Sequence, residues 1–133
     1  MSRLNQNYQY EDSKVGRVSY ILTGVLIAYS ISLLVFLIAA LILNFTGISD
    51  AIIPHLTYMT SVISIAVGAM HASRQIGERG WLNGGICGLL YFLGLFVLSI
   101  LIGIDLAANE VILSRLFLAF VFGAIGGVIG INT

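Results

Sequence analysis

Few side chains in this sequence could carry acid–base or metal chemistry. His71 opens a charged segment, residues 71–88 (HASRQIGERGWLNGGICG), which separates two long apolar stretches. A histidine there could relay protons, bind a metal or lie at a membrane interface. No second histidine, cysteine or carboxylate stands at metal-ligand spacing from it, and His55 belongs to the far end of the preceding apolar stretch. A structural role for His71 is therefore favoured, and no metal site is predicted.

The same segment offers one binding chemistry, which is recognition of an anion. Arg74 and Arg79 flank a glycine-rich stretch that begins at Gly80. A helix starting there would present free N–H groups beside two guanidinium groups, a combination that suits a phosphate or a lipid headgroup. The favoured alternative is that the arginines orient the protein in a membrane and the glycines allow helices to pack.

Other catalytic chemistry finds little support in the sequence. Cys87 is the only cysteine, which excludes an intrachain disulfide, and its place beside Gly88 in an apolar stretch is typical of a small buried residue. There is no catalytic serine motif, no phosphate-binding loop and no cluster of metal ligands. We therefore predict no catalytic residues, no cofactor and no enzymatic activity.

Composition indicates that these residues are carried by a membrane-spanning bundle. Hydrophobic residues make up 59% of the chain and charged residues 9%, whereas soluble domains average roughly 45–50% and 25%. We predict an all-α, four-helix transmembrane bundle over residues 18–133, preceded by a polar tail at 1–17 that is flexible or interfacial. Ser49 or Asp50 would cap the second helix, with Pro54 in its first turn. The predicted spans cover about residues 18–43, 51–73, 81–104 and 111–131.

The basic residues predict the orientation. Three of the six precede the first span and two lie in the segment 71–88, while the loops at 44–50 and 105–110 contain none. By the positive-inside rule, both termini and the segment 71–88 are cytoplasmic in a multi-pass plasma-membrane protein. Arg115 is the one basic residue on the other side, and we expect it to reach toward Glu110, Asp105 or Asp50. Scattered basic residues and zero net charge argue against a nucleic-acid partner.

Small residues recur every four positions in each span of this glycine-rich chain, in GxxxG-like patterns. In lipid no hydrophobic force presses helices together, so close backbone approach through small residues is needed for packing. We expect these ladders to meet mainly within one chain, with one ladder left for a second copy or another membrane protein. The predicted helix-packing residues are Gly24, Ala28, Ser32, Ser64, Gly68, Ala72, Gly80, Gly84, Gly88, Ala119, Gly123 and Gly127.

The two halves of the chain resemble each other. Residues 24–27 (GVLI) match 88–91 (GLLY), and residues 67–70 (VGAM) match 122–125 (FGAI). The similarity predicts two tandem helical hairpins in the same orientation, related by an axis along the membrane normal. Chance similarity between apolar sequences is the alternative.

Two motifs carry a resemblance to a known family. They are residues 80–84 (GWLNG) and the terminal residues 123–132 (GAIGGVIGIN). Over about residues 15–132 the chain resembles the YrzE-like small four-span membrane proteins of Gram-positive bacteria. The resemblance implies a four-span fold in a bacterial plasma membrane. Since that family has no established biochemical activity, it implies no catalytic residues.

Three functions remain open. The leading hypothesis is a structural or accessory membrane subunit, because the ladders are dense and no Asp or Glu lies in mid-membrane, where coupled pumps keep ionisable groups. The second is a small oligomeric channel or transporter component lined by Thr57, Ser61 and Ser64. The third is a lipid-acting membrane enzyme that uses the glycine-rich cytoplasmic end of the bundle.

Overall fold

The protein is a bundle of four helices. The computed structural model describes residues 2–104 and 109–133. In these ranges no strand is present, and all four helices are long and apolar enough to cross a membrane. The prediction of an all-α fold with four helices able to span a membrane is thus confirmed, while most of the loop predicted at 105–110 lies outside the described residues. The helices are α1 (Ser2–Thr46), α2 (Ile53–Ile76), α3 (Gly80–Ile102) and α4 (Asn109–Asn132), with a 3₁₀ turn at Asp50–Ile52.

The beginning of α1 differs from the prediction. Residues 2–17, expected to form a flexible or interfacial tail, are helical and continuous with the first span. No proline interrupts them, and most are adequate helix formers, so a helix already nucleated in the span continues at little cost. The side chains from 3 to 15 are all exposed. The 45 residues of α1 make a helix about 68 Å long, whereas the hydrocarbon core is roughly 30 Å thick. Because the apolar part of α1 already fills the core, the polar N-terminal extension, residues 2–17, must lie outside it.

The connection between α1 and α2 is a tight turn. Gly47 has φ +59°, a conformation that disfavours side chains. The Oγ of Ser49 accepts a hydrogen bond from the Ala51 N–H (3.4 Å), so Ser49 caps the 3₁₀ turn and not α2 itself. Pro54 occupies the first turn of α2, where the missing N–H has no intrahelical acceptor to lose.

Successive helices pack against each other in two pairs, α1 on α2 and α3 on α4. Between the pairs, α2 contacts both α3 and α4, and α1 touches α3, whereas no contact joins α1 to α4 within the described residues. The helices α2 and α3 therefore each contact all the others.

Glycines bring α3 and α4 into direct backbone contact. A methyl group added at Gly84 would overlap the carbonyl oxygen of Gly123 and lie 2.7 Å from the Cα of Gly127. One turn away on either side, an added methyl at Gly80 would meet the Gly127 carbonyl and one at Gly88 the Ala119 carbonyl. Three successive turns of α3 thus lie against α4 with no side chain between them.

The other two main interfaces use the same kind of contact. Between α1 and α2, a methyl group at Gly24 would lie 2.6 Å from the carbonyl oxygen of Gly68. Between α4 and α2, a methyl group at Gly126 would lie 2.9 Å from the Cα of Ala66, and one at Gly130 would lie 2.9 Å from the Cα of Met70. Gly127 and Gly126 are neighbours, so α4 uses adjacent faces to approach α3 and α2.

Burial divides the bundle into two halves. In the described part of the chain, every buried residue lies either at one cross-section of the bundle or between that cross-section and the α2–α3 turn. We call the portion between the cross-section and that turn the closed half, and the portion toward the α1–α2 connection the open half. In the open half the side chains are exposed or only partly buried. The residues that mark the cross-section are Ser32, Thr60, Tyr91 and Ala119.

Replacing Gly84 by alanine is expected to lower the free energy of unfolding by about 1–3 kcal/mol, because the methyl group would force α3 and α4 apart. The single cysteine provides the readout. Cys87 is 1% exposed, so a thiol-reactive maleimide dye should label the purified protein in detergent only as it unfolds on heating.

Gly16→Ala is the matched control. It changes a helical glycine in α1 that has nothing within 4 Å of an added methyl group, and alanine favours a helix by roughly 0.5–1 kcal/mol. Labelling should therefore begin at the same or a higher temperature than in the unsubstituted protein. Equal midpoints for Gly84→Ala and Gly16→Ala would refute the contact model.

Candidate functional site

The turn between α2 and α3 is held from within by two side chains. The residue that follows α2 is Gly77, whose φ is +76° and whose N–H donates to the Ser73 carbonyl (2.9 Å). The Ser73 hydroxyl donates in turn to the carbonyl of Gly80 (3.2 Å), and the Asn83 side-chain amide donates to that of Glu78 (2.6 Å). Both side chains are buried. Since only residues 77–79 link the helices, this central turn is short and internally bonded.

The residues predicted to contact an anion do not share one surface. Arg74 and Arg79 are exposed, whereas Gly80 is buried against Gly127. The turn also carries an acidic group, because Glu78 forms an ion pair with Arg17 of α1 (3.0 Å). With these side chains 43% and 70% exposed, the pair contributes only about 0–1 kcal/mol. Its clearest effect is to place the base of the N-terminal extension beside the central turn.

The two histidines lie apart. His71 is partly buried near the end of α2, and His55 is exposed in its first turn. Across residues 2–104 and 109–133, no group of three His, Cys, Asp or Glu side chains could hold a metal ion.

All twelve residues predicted to pack helices are buried. The structure brings Gly24 together with Gly68, and the α3 ladder together with Gly123 and Gly127. In both pairs, therefore, the contacting small residues come from two helices that follow one another in the chain. Ser64 is fully buried, and its hydroxyl has no hydrogen-bond partner.

A cluster of hydroxyl groups lies in the core at the boundary between the two halves. The Tyr91 hydroxyl is 2.6 Å from the Ser32 hydroxyl, which also donates to the Ala28 carbonyl (2.9 Å). The Tyr29 hydroxyl donates to the Tyr91 carbonyl (2.8 Å), and the two rings stack with centroids 4.9 Å apart. Tyr91 is 1% exposed. This cluster joins α1 to α3, which otherwise share the smallest interhelical contact.

Sequence reasoning missed this cluster, although one signal for it was present. Tyrosine is usually placed at the membrane–water interface, yet Tyr29 and Tyr91 lie near the middle of their predicted spans. A hydroxyl group at that depth needs a protein partner. The space for the Tyr29 side chain is provided by Gly94, where an added methyl group would overlap the Tyr29 hydroxyl.

A cavity of about 550 Å³ lies between α2, α3 and α4 in the open half. It ends at Ile65, Tyr91 and Ala119, where the glycine contacts of the closed half begin. Most of its wall is aliphatic or aromatic. The polar side chains that line it are Thr57, Tyr58, Ser61, Tyr91, Ser99 and Arg115.

Only part of the polar stripe, as we call the three residues Thr57, Ser61 and Ser64 that were predicted to line a channel, faces the cavity. Thr57 and Ser61 line it, and their hydroxyls donate to the carbonyls four residues earlier in α2 (2.8 and 2.9 Å). Ser64 does not line it and is sealed in the core. Within one chain, the polar stripe therefore stops at the floor of the cavity.

Arg115 lies at the opening of the cavity. It is exposed, lines the cavity wall and stands six residues into α4. Of the acidic residues expected to meet it, Asp50 and Glu110 form no ion pair with it. Asp105 lies outside the described residues.

Replacing Tyr91 by phenylalanine should lower the free energy of unfolding by about 0.5–1.5 kcal/mol, because the hydrogen bond to Ser32 is lost while the ring remains. Thermal unfolding of Tyr91→Phe, Ser32→Ala and the double variant, followed by maleimide labelling of Cys87, measures the coupling. The double variant should lose less than the sum of the single losses. Tyr8→Phe changes an exposed tyrosine and should leave the midpoint unchanged. Strictly additive losses would contradict a hydrogen bond between the Ser32 and Tyr91 hydroxyls.

Comparison with known proteins identifies a family whose function is unknown. Residues 17–130 match the family described as "Protein of unknown function (DUF3792)". No curated protein and no solved structure matches the chain. The matched range covers nearly all of the four spans but omits most of the N-terminal extension. This integral membrane protein thus belongs to the DUF3792 family.

Proposed function

We propose that the protein is a non-enzymatic accessory subunit that acts by contacting another membrane protein, or a second copy of itself, through its helix surfaces. The observation that carries the proposal is the closed half, where backbone contacts leave no room for a substrate path. The ladders are used to assemble the chain itself, so the surfaces offered to a partner are the outer faces of the helices and the N-terminal extension.

The N-terminal extension is the best-defined of these surfaces. Leu4, Tyr8 and Val15 are 62–68% exposed, and their spacing places them along one side of the helix, which we call the apolar stripe. Glu11 lies on the same side and interrupts the stripe. Gln6 and Ser13 fall on the opposite side. The Arg17–Glu78 ion pair ties the base of this helix to the central turn, so the extension projects from the bundle in a defined direction.

A photo-crosslinking amino acid at Tyr8 should form adducts with one membrane protein in living cells, because the apolar stripe would be covered by that partner. The same amino acid at Gln6 or Ser13 is the matched control and should form few adducts. Adduct masses on denaturing gels, followed by mass spectrometry, give the measurement. Equal adduct patterns at Tyr8 and Gln6 would count against a partner on the stripe.

A channel or transporter component is the second candidate, and the cavity with Thr57 and Ser61 is the feature that favours it. Its floor at Ile65, Tyr91 and Ala119 argues against a path through one chain. Purified protein in liposomes should therefore conduct no more solute than empty liposomes. Flux that Ser61→Leu abolishes would favour the channel and overturn the accessory role.

We further propose a bacterial plasma-membrane location, consistent with the YrzE-like resemblance, with both termini and the central turn in the cytoplasm. Five of the six basic residues support this orientation, since they lie in the N-terminal extension or around the central turn. The matching small-residue patterns of the two hairpins also support their origin as a repeat.

Single cysteines introduced into a Cys87→Ser background test the orientation. In intact cells a membrane-impermeant maleimide should label Ser49→Cys, while Gln6→Cys and Thr133→Cys should be labelled only after permeabilisation. The reverse pattern would show that the termini are outside.

A further inference from the structure

The cavity in the open half combines a hydrocarbon-like wall with a single cation at its opening. Its volume, about 550 Å³, falls in the range of roughly 300–1,000 Å³ that is typical of small-molecule sites. The wall is formed mainly by large apolar side chains from α3 and α4. These are Phe92, Leu95, Phe96, Leu118 and Phe122.

The hydroxyl groups of the wall do not make it a site for a polar solute. Thr57 and Ser61 already donate their protons to carbonyls of their own helix. Ser99 lies among phenylalanines on α3. Hydrocarbon chains match such a surface, because they gain dispersion contacts without leaving polar groups unpaired.

Arg115 supplies the charge that selects the ligand. Arg115 is six residues after Asn109, the first residue of α4, so the two residues are about 9 Å apart along the helix axis. Ionisable groups inside membrane helices usually pair with an opposite charge or with backbone carbonyls. Within the described residues no ion pair joins Arg115 to Asp50 or Glu110, and a planar guanidinium binds phosphate oxygens in a bidentate manner.

We propose that the cavity is a lipid-binding site, which holds an acyl chain of an anionic phospholipid while Arg115 binds its phosphate. The lipid enters from the leaflet on the side of the α1–α2 connection. This site goes beyond the accessory role, since it requires no protein partner. A bound lipid would also fill the space between α2, α3 and α4 in the open half, so that no void is left in the membrane.

Native mass spectrometry of the purified protein tests the proposal. After delipidation, the protein is mixed with phosphatidylglycerol, phosphatidylcholine or soluble glycerol phosphate. One phosphatidylglycerol should bind per chain, about fivefold more tightly than phosphatidylcholine. Glycerol phosphate alone should not compete, and competition by it would replace the lipid site with a simple phosphate site.

Substitutions separate the headgroup from the chain. Arg115→Gln should remove the fivefold preference, whereas Arg3→Gln, which changes an exposed basic residue of the N-terminal extension, should retain it. Ser61→Phe and Ser99→Phe fill the cavity and should each abolish binding of both lipids, provided that heating shows the variant to be folded. Full preference in Arg115→Gln, or unchanged binding in a folded cavity-filling variant, would overturn the proposal.

A helix of a second copy is the competing occupant. Leu95→Cys in the Cys87→Ser background should remain monomeric under oxidising crosslinking in membranes. An efficient disulfide crosslink between the introduced cysteines of two copies would show that protein, and not lipid, fills the cavity.

Discussion

In a bilayer, lipid tails solvate apolar side chains about as well as another helix does, so a bundle needs a different source of cohesion. Here that source is direct backbone contact. Gly80, Gly84 and Gly88 let α3 lie against α4, and Gly24 and Gly68 do the same for α1 and α2. Each contact gains many small dispersion terms and, because glycine has no side chain, loses no side-chain entropy.

The glycine contacts also determine where the bundle opens. They are concentrated in the closed half, and beyond Tyr91 and Ala119 the facing side chains become phenylalanines and leucines. Helices that touch at one end through glycine are held apart at the other by these larger residues. The Tyr29–Tyr91–Ser32 cluster lies at this transition and links α1 to α3 across it. The cavity is therefore a consequence of how residue size is distributed along the helices.

This division separates the surfaces on which the two proposals rest. The closed half serves assembly, and its interior is sealed by backbone. The N-terminal extension projects from the closed end, where Arg17 meets Glu78. The cavity of the open half belongs to the opposite end, where Arg115 supplies a cation. A contact at the extension could thus form without disturbing the cavity.

The four long apolar helices could be predicted from the sequence. Hydropathy and four-residue spacing are local properties, and they identified twelve small residues that are all buried. Helicity of residues 2–17 was missed, because polarity suggested a tail although nothing in that stretch stops a helix. Only the tertiary structure decided that Tyr91 meets Ser32, that Arg17 meets Glu78 and that Arg115 opens onto a cavity. These contacts join residues far apart in the chain, so they depend on how closely the glycines let the helices approach and on where larger side chains hold them apart.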